Sequence, residues 1–358
     1  MQQSDLTMSL RTLFETIAKA LRPAGLAPRR GRLRGVSGAI RAALAKFGIA
    51  PRNAPAGPAA ATTEAAQFLD RSFTNAAGTR AYKLYVPASY RATPVPLLMM
   101  LHGCNQSPDD FAAGTRMNEL AEAHGFLVAY PAQSARANGA NCWNWFRAAD
   151  QARDGGEPSI LAGIVAEIAA GHAIDRRRVF VAGLSAGAAM AVILGRTHPE
   201  VFAAVGAHSG LPYGAAQSAP AAFAAMHGGL AQAIVGWPPL RAANAAARAA
   251  SMPGVPTIVF HGDHDPTVAA SNSDAIVAQA LAPKASGRLE SRRLEPASAL
   301  SRGYTSTAYT TPQGRPLVEQ WTLHGGSHAW SGGSPDGSYT EAQGPDASAE
   351  MVRFFLSQ

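Results

Sequence analysis

Gly183-Leu-Ser185-Ala-Gly187 carries the strongest chemical signal in the chain. A serine hydroxyl is un-ionised near neutral pH and becomes a useful nucleophile only beside a base. Glycines two residues before and two after the serine fit a sharp strand-to-helix turn, where flanking side chains would collide. The apolar stretch 178–182 reads as the strand and 186–196 as the helix, whose N-terminus favours negative charge developing beside the serine. A bare G-x-S-x-G also describes a glycine-rich turn with an incidental capping serine. The flanking elements favour the chemical reading.

A serine nucleophile on such a turn takes its acid and then its histidine from later loops, each following a strand. The strand expected at Thr257 to Phe260 runs into His261-Gly-Asp263-His264-Asp265. Asp265 lies where the orienting acid belongs, with Asp263 as competitor and more naturally a turn residue bonding its own backbone. The strand expected at Val318 to Leu323 leads into His324-Gly-Gly-Ser-His328. His328 lies deeper in the loop that must fold back over the serine and is preferred to His324 as base. Acyl transfer also requires donors for an oxyanion. The Ala186 N–H, directly after the nucleophile, is one. The second is expected from His102-Gly103-Cys104, with the Cys104 amide as donor and His102 shaping the loop. His172, His208, His261 and His264 read as structural or exposed. No histidine pair lies at i, i+4 on an expected helix, His324 and His328 falling in a Gly-Gly loop, so neither a metal nor a cofactor is expected.

The elements needed to hold these groups are legible as alternating patterns. A hairpin is expected over 73–87 around Ala76-Ala77-Gly78, and buried strands at Val95 to Leu101, Phe126 to Tyr130 and Val201 to Ala207. Helices are expected at Asp110 to Ala123, Ile160 to Ala170 and Ala347 to Leu356. Continuous apolar strands alternating with helices predict an α/β fold, a mostly parallel central sheet covered on both faces. Residues 211–252, Ala-rich with scattered Pro and Gly, read as helical excursions over the sheet.

The 358 residues carry a formal charge of +7. Residues 1–52 contribute +8 and the remainder −1, which argues against a nucleic-acid-binding body. Leu6, Leu10, Leu13, Phe14, Ile17 and Leu21 recur at helical spacing, and Val36, Ile40, Leu44 and Phe47 repeat the pattern. Residues 1–50 are thus expected to form a basic amphipathic helical extension, 51–67 a Pro/Ala-rich linker, and 68–358 a catalytic domain. Two cysteines exclude a disulfide-built fold and a four-cysteine zinc site. Arg11, Glu15 and Lys19 interrupt any ordinary signal peptide, which favours a cytoplasmic or granule-associated protein.

Taken together, several motifs carry a resemblance. They are Leu-His-Gly-Cys-Asn-Gln (101–106), Asn-Cys-Trp-Asn-Trp-Phe (141–146), Gly-Leu-Ser-Ala-Gly-Ala-Ala-Met (183–190) and Ser-Gly-Leu-Pro-Tyr (209–213). His-Gly-Asp-His-Asp-Pro-Thr-Val (261–268) and Gly-Ser-His-Ala-Trp-Ser-Gly-Gly (326–333) complete the set. From about residue 70 onward the chain resembles the polyhydroxybutyrate (PHB) depolymerase-type esterases of the α/β-hydrolase superfamily. The resemblance implies Ser185 as nucleophile, Asp265 as orienting acid, His328 as base and His102 as the oxyanion-associated histidine. It implies a short-chain polyhydroxyalkanoate or its oligomers as substrate, with feruloyl- and acetylxylan-type esters as the alternative, and an extracellular location as for many members. It also implies a Cys104–Cys142 disulfide; two reduced thiols remain the alternative.

Trp143 and Trp330 are expected to line the acyl cleft, since a polyester offers apolar surface between its carbonyls. The basic extension is expected to rest on a polyhydroxyalkanoate granule or an anionic membrane surface. A non-enzymatic alternative is a granule-associated structural protein with a vestigial hydrolase body.

Overall fold

The computed structural model describes residues 65–228, 254–282, 290–294 and 302–358, the last-but-one segment by its backbone alone. The expected extension, nearly all of the linker and most of the excursion at 211–252 lie outside these residues. Among the described residues no helix is long and apolar enough to cross a membrane.

Ten strands form one sheet. Its centre is a parallel run of β4 (Leu127–Pro131), β3 (Val95–Leu101), β5 (Ile174–Leu184), β6 (Ala204–His208), β7 (Thr257–Gly262) and β10 (Pro316–Leu323), in that spatial order. Antiparallel strands complete both sides: β1 (Gln67–Asn75) and β2 (Gly78–Val86) beside β4, and β9 (Tyr304–Thr310) and β8 (Glu290–Leu294) beside β10. β4 and β6 are buried at every position, the signature of strands covered on both faces. One face packs against α1 (Pro108–Thr115), α2 (Met117–His124) and α7 (Ala347–Leu356) through Phe111, Met117, Met351 and Phe354. The other carries α3 (Gly156–Gly171), α4 (Ala186–Thr197), α5 (Ala219–Met226) and α6 (Ser271–Leu281) through Ile164, Met190, Ala225 and Ile276. This is an α/β-hydrolase arrangement.

Strand order reverses beside β3: β4 lies on one side of it, and the chain then crosses to β5 on the other. Ligands bind in α/β sheets outside the carboxyl ends of strands at such a switch point. The register pairs Leu101 with Gly183, so the loops leaving β3 and β5 emerge side by side.

The structure differs from the sequence expectations in several places, among them α6 (Ser271–Leu281), which no expected helix covers. The hairpin begins at Gln67, the last residue of the expected linker and six residues before its expected start at 73, because β1 pairs with β2 along its whole length. The helix expected over 110–123 is two helices, broken at Arg116 with φ of 52°. Arg116 donates to the Gly332 carbonyl and to Asp346 Oδ2, both at 3.0 Å, which holds the break against the C-terminal loops. The edge strands β8 and β9 were not anticipated. Tyr-Thr-Ser-Thr-Ala-Tyr-Thr in β9 is mostly half-buried and lacks an apolar run, so nothing local announces a strand.

Candidate active site

Ser185 stands at the β5–α4 turn with φ of 57° and ψ of −118°, a region that residues other than glycine rarely occupy. Its neighbours explain how the strain is held. A Cβ on Gly187 would fall 2.1 Å from the Leu101 carbonyl oxygen, and one on Gly183 would fall 2.5 Å from the Gly187 carbonyl carbon. Only glycine allows the turn to close this tightly against β3. The Ser185 N–H donates to the His208 carbonyl at 2.9 Å, while its side chain makes no capping hydrogen bond. The hydroxyl therefore stands at the N-terminus of α4.

Of the two acids and two histidines weighed in the sequence, the structure pairs one acid with one histidine, twice. His328 Nδ1 lies 2.7 Å from Asp265 Oδ2, with the Asp265 side chain fully buried and that of His328 nearly so. His324 Nδ1 lies 3.2 Å from Asp263 Oδ2, both partly exposed, and the Gly325 N–H donates to Asp263 Oδ1. Asp263 thus braces the loop after β10 across the sheet edge; it does not bond its own turn. Burial pushes the Asp265 carboxyl up, but hydrogen bonds from His261 and His328 outweigh it and hold the group far below the usual carboxylate range. Its Oδ1 accepts the N–H groups of Thr267 and Val268, both at 2.8 Å. A carboxylate so bonded stays ionised and fixes the ring of His328 with Nδ1 as donor. That leaves His328 Nε2 to take a proton.

The loop after β3 is built around His102, which is 1% exposed. The Gln133 N–H donates to His102 Nε2 at 3.1 Å, which makes Nε2 the acceptor and leaves Nδ1–H to donate to the Gly103 carbonyl at 2.8 Å. Burial pushes His102 down to about 4, so it is neutral at working pH. In a trans peptide the C=O and N–H point opposite ways. Drawing the Gly103 oxygen toward His102 therefore turns the Cys104 N–H away from it. Neither the Cys104 nor the Ala186 N–H has a backbone acceptor among the described residues. Cys104 is disulfide-bonded to Cys142, their Cα atoms 4.3 Å apart.

Trp143 and Trp330 do not present a face to a cleft. They are 0% and 1% exposed, which corrects the expectation that they line it. Trp143 Nε1 donates to the His102 carbonyl at 3.1 Å, and Trp330 Nε1 to Ser348 Oγ at 3.0 Å. Both are pillars under the loops that carry polar groups, a use of the buried indole with its N–H satisfied.

His208 is fully buried, as a structural reading allows, yet it is tied to both catalytic candidates. Its carbonyl holds the Ser185 N–H, its ring stacks on Trp330 at 5.2 Å, and its Nε2 accepts the Ser331 N–H at 3.1 Å. It couples the Ser185 turn to the loop bearing His328. Its place at the end of a buried strand was the only sequence signal for this. The buried Gln133 and Glu157, behind the loop after β3, gave none: an acid in the first turn of a helix ordinarily reads as a surface charge. Among the described residues no cluster of His, Cys, Asp and Glu could hold a metal ion.

Residues 80–291 match the family model described as Esterase PHB depolymerase. A poly(3-hydroxyalkanoate) depolymerase C from Paucimonas lemoignei is 32% identical over 255 residues, 71% of this chain and 59% of that protein. A probable acetylxylan esterase A from Aspergillus fumigatus is 34% identical over 142 residues, 39% of this chain and 37% of that protein. The chain thus spans less than two thirds of the length of these relatives. Among solved structures, an acetyl xylan esterase from Aspergillus awamori shares the fold, with a TM-score of 0.59 at 20% identity over 78% of this chain and 94% of the other.

Proposed function

Because the chain belongs to the esterase PHB depolymerase family, we propose that it is a serine esterase cleaving short-chain polyhydroxyalkanoate or its oligomers through an acyl-enzyme. Ser185 Oγ attacks the ester carbonyl as His328 Nε2 takes its proton, and Asp265 holds the imidazolium that forms. The Cys104 and Ala186 N–H groups receive the oxyanion. Collapse of the tetrahedral adduct expels the alcohol end of the polymer, which takes the proton from His328. Water, deprotonated by the same histidine, then releases the 3-hydroxyacid end and restores Ser185. The observation that carries this reading is the Asp265–His328 hydrogen bond on the loops after β7 and β10, at the same end of the sheet as the Ser185 turn after β5.

The depolymerase relative aligns over 71% of the chain and the acetylxylan esterase relative over 39%, which supports polyester over polysaccharide ester as substrate. The second reading, an esterase on acetylated or feruloylated polysaccharide, rests on that shorter match. Residues 1–50 would hold the enzyme on a granule or an anionic membrane surface. The Cys104–Cys142 bond supports an oxidising, extracytoplasmic location over the cytoplasmic one.

Three measurements test the proposal together. A fluorophosphonate should label Ser185, and Ser185→Ala should lower kcat on p-nitrophenyl butyrate by at least about 10³-fold. Absence of label would leave the vestigial structural protein standing. Hydrolysis of polyhydroxybutyrate, acetylated xylan and methyl ferulate in parallel decides the substrate, and turnover confined to the polysaccharide esters would overturn the polyester reading.

A further inference from the structure

Behind the disulfide loop lies a buried carboxylate that the proposed chemistry does not use. Glu157 opens α3 and is 2% exposed. Its Oε1 accepts Arg80 Nη2 at 3.1 Å and Asn144 Nδ2 at 2.8 Å, together with Gln133 Nε2, and its Oε2 accepts the Asn144 N–H at 2.8 Å. Burial and the nearby Asp150 both raise its pKa, against hydrogen bonds from Gln133 and Asn144 and the charge of Arg80. Keeping a charge here is costly, and a buried ion pair is weak evidence for stability alone.

The same contacts lead to the oxyanion loop. Gln133 Nε2, held by Glu157, also donates to the Cys142 carbonyl at 2.9 Å, and the Gln133 N–H fixes His102 Nε2 at 3.1 Å. His102 Nδ1–H in turn holds the Gly103 carbonyl. Three successive hydrogen bonds therefore join the Glu157 carboxylate to the peptide that supplies the Cys104 N–H. A fourth reaches the carbonyl of the cysteine to which Cys104 is bonded. The peptide is gripped from both sides, by its histidine and by its disulfide, and both grips end on one carboxylate.

We propose that Glu157, acting through Gln133, is a positioning residue for the oxyanion site, holding the Cys104 N–H where negative charge develops. This rests on the serine esterase reading above. A donor misplaced by a fraction of an ångström binds the ground-state carbonyl nearly as well but stabilises the oxyanion less, so the loss belongs in kcat. Replacing Glu157 with Gln puts an N–H₂ where Oε1 or Oε2 now accepts donors, which breaks the cluster while conserving shape. Gln133→Met removes the link and leaves the Arg80–Glu157 pair in place.

The test measures kcat and KM on p-nitrophenyl butyrate and inhibition by phenylboronic acid, whose tetrahedral serine adduct places an oxygen in the oxyanion site. Glu157→Gln and Gln133→Met should each lower kcat about 10- to 100-fold, leave KM within about twofold and weaken phenylboronic acid in step with kcat. Phe355→Leu, on α7 and in a buried stack with Phe180, serves as a packing control, its melting temperature measured beside theirs. Wild-type kcat in both variants, a loss no greater than in this control, or failure of both variants to fold would overturn the inference. Wild-type enzyme that neither hydrolyses the ester nor takes the fluorophosphonate would instead defeat the esterase reading.

Discussion

At the scale of single residues, the site is a set of groups whose charge states are set by what surrounds them. Asp265 is ionised because two histidines and two backbone N–H groups face it. His102 and His208 are neutral because burial lowers them to about 4 and about 3. That difference has a consequence for stability. Between the unfolded value near 6.5 and the folded values, the unfolded chain binds protons at these two histidines and the folded chain does not. Stability is unaffected by them above pH 6.5 and falls as pH drops toward 4, by up to about 1.4 kcal/mol per pH unit for each group. Urea midpoints at pH 7.5, 6, 5 and 4 should fall accordingly, and His102→Asn should flatten the slope; a parallel slope in that variant would show that His102 does not resist protonation. Ser185, Asp265 and His328 could be nominated from type and chain order. The neutrality of His102 and His208 could not, because desolvation is a property of neighbours brought in from other strands.

At the scale of elements, the nucleophile turn and the cystine loop carry opposite kinds of constraint. The turn is held by absence: Gly187 leaves no atom where a Cβ would lie 2.1 Å from the Leu101 oxygen. Those glycines were readable from their spacing, since the approach of Gly183 to Gly187 is local to the strand–turn–helix unit; the approach of Gly187 to Leu101 on β3 was not. The loop is held by a covalent bond closing 38 residues, for which the chain-entropy model gives about 4 kcal/mol. A Cys104→Ser, Cys142→Ser double variant should lose roughly that much in urea unfolding and lower kcat more than it raises KM, because Cys104 carries a proposed oxyanion donor. Unchanged kcat with lowered stability would show the bond to be a staple alone. The break between α1 and α2 was not readable, since Arg116 is held in its left-handed conformation by Gly332 and Asp346, over two hundred residues away.

At the scale of the whole molecule, the charge divides as the sequence indicated, +8 over residues 1–52 against −1 over the rest. The unit Ala65–Gln358 is compact and holds every residue proposed to act on an ester. Removing residues 1–64 should therefore preserve turnover of p-nitrophenyl butyrate and depress hydrolysis of polyhydroxybutyrate granules at least about tenfold, an effect that added salt should mimic in the full chain. Equal loss on both substrates would assign the extension to the catalytic unit. The sequence by itself determined the class of sheet, the chain order of the candidates Ser185, Asp265 and His328, and the turn that strains the serine, because each is written in residue types and in the local patterns that flank them. Tertiary structure alone decided which acid faces which histidine, that Trp143 and Trp330 are pillars and not walls, and that Glu157 reaches the loop of His102 and Cys142 through Gln133. Those outcomes depend on burial and on contacts across strands, and no local pattern of residue types encodes how deeply a side chain will be buried or what it will meet there.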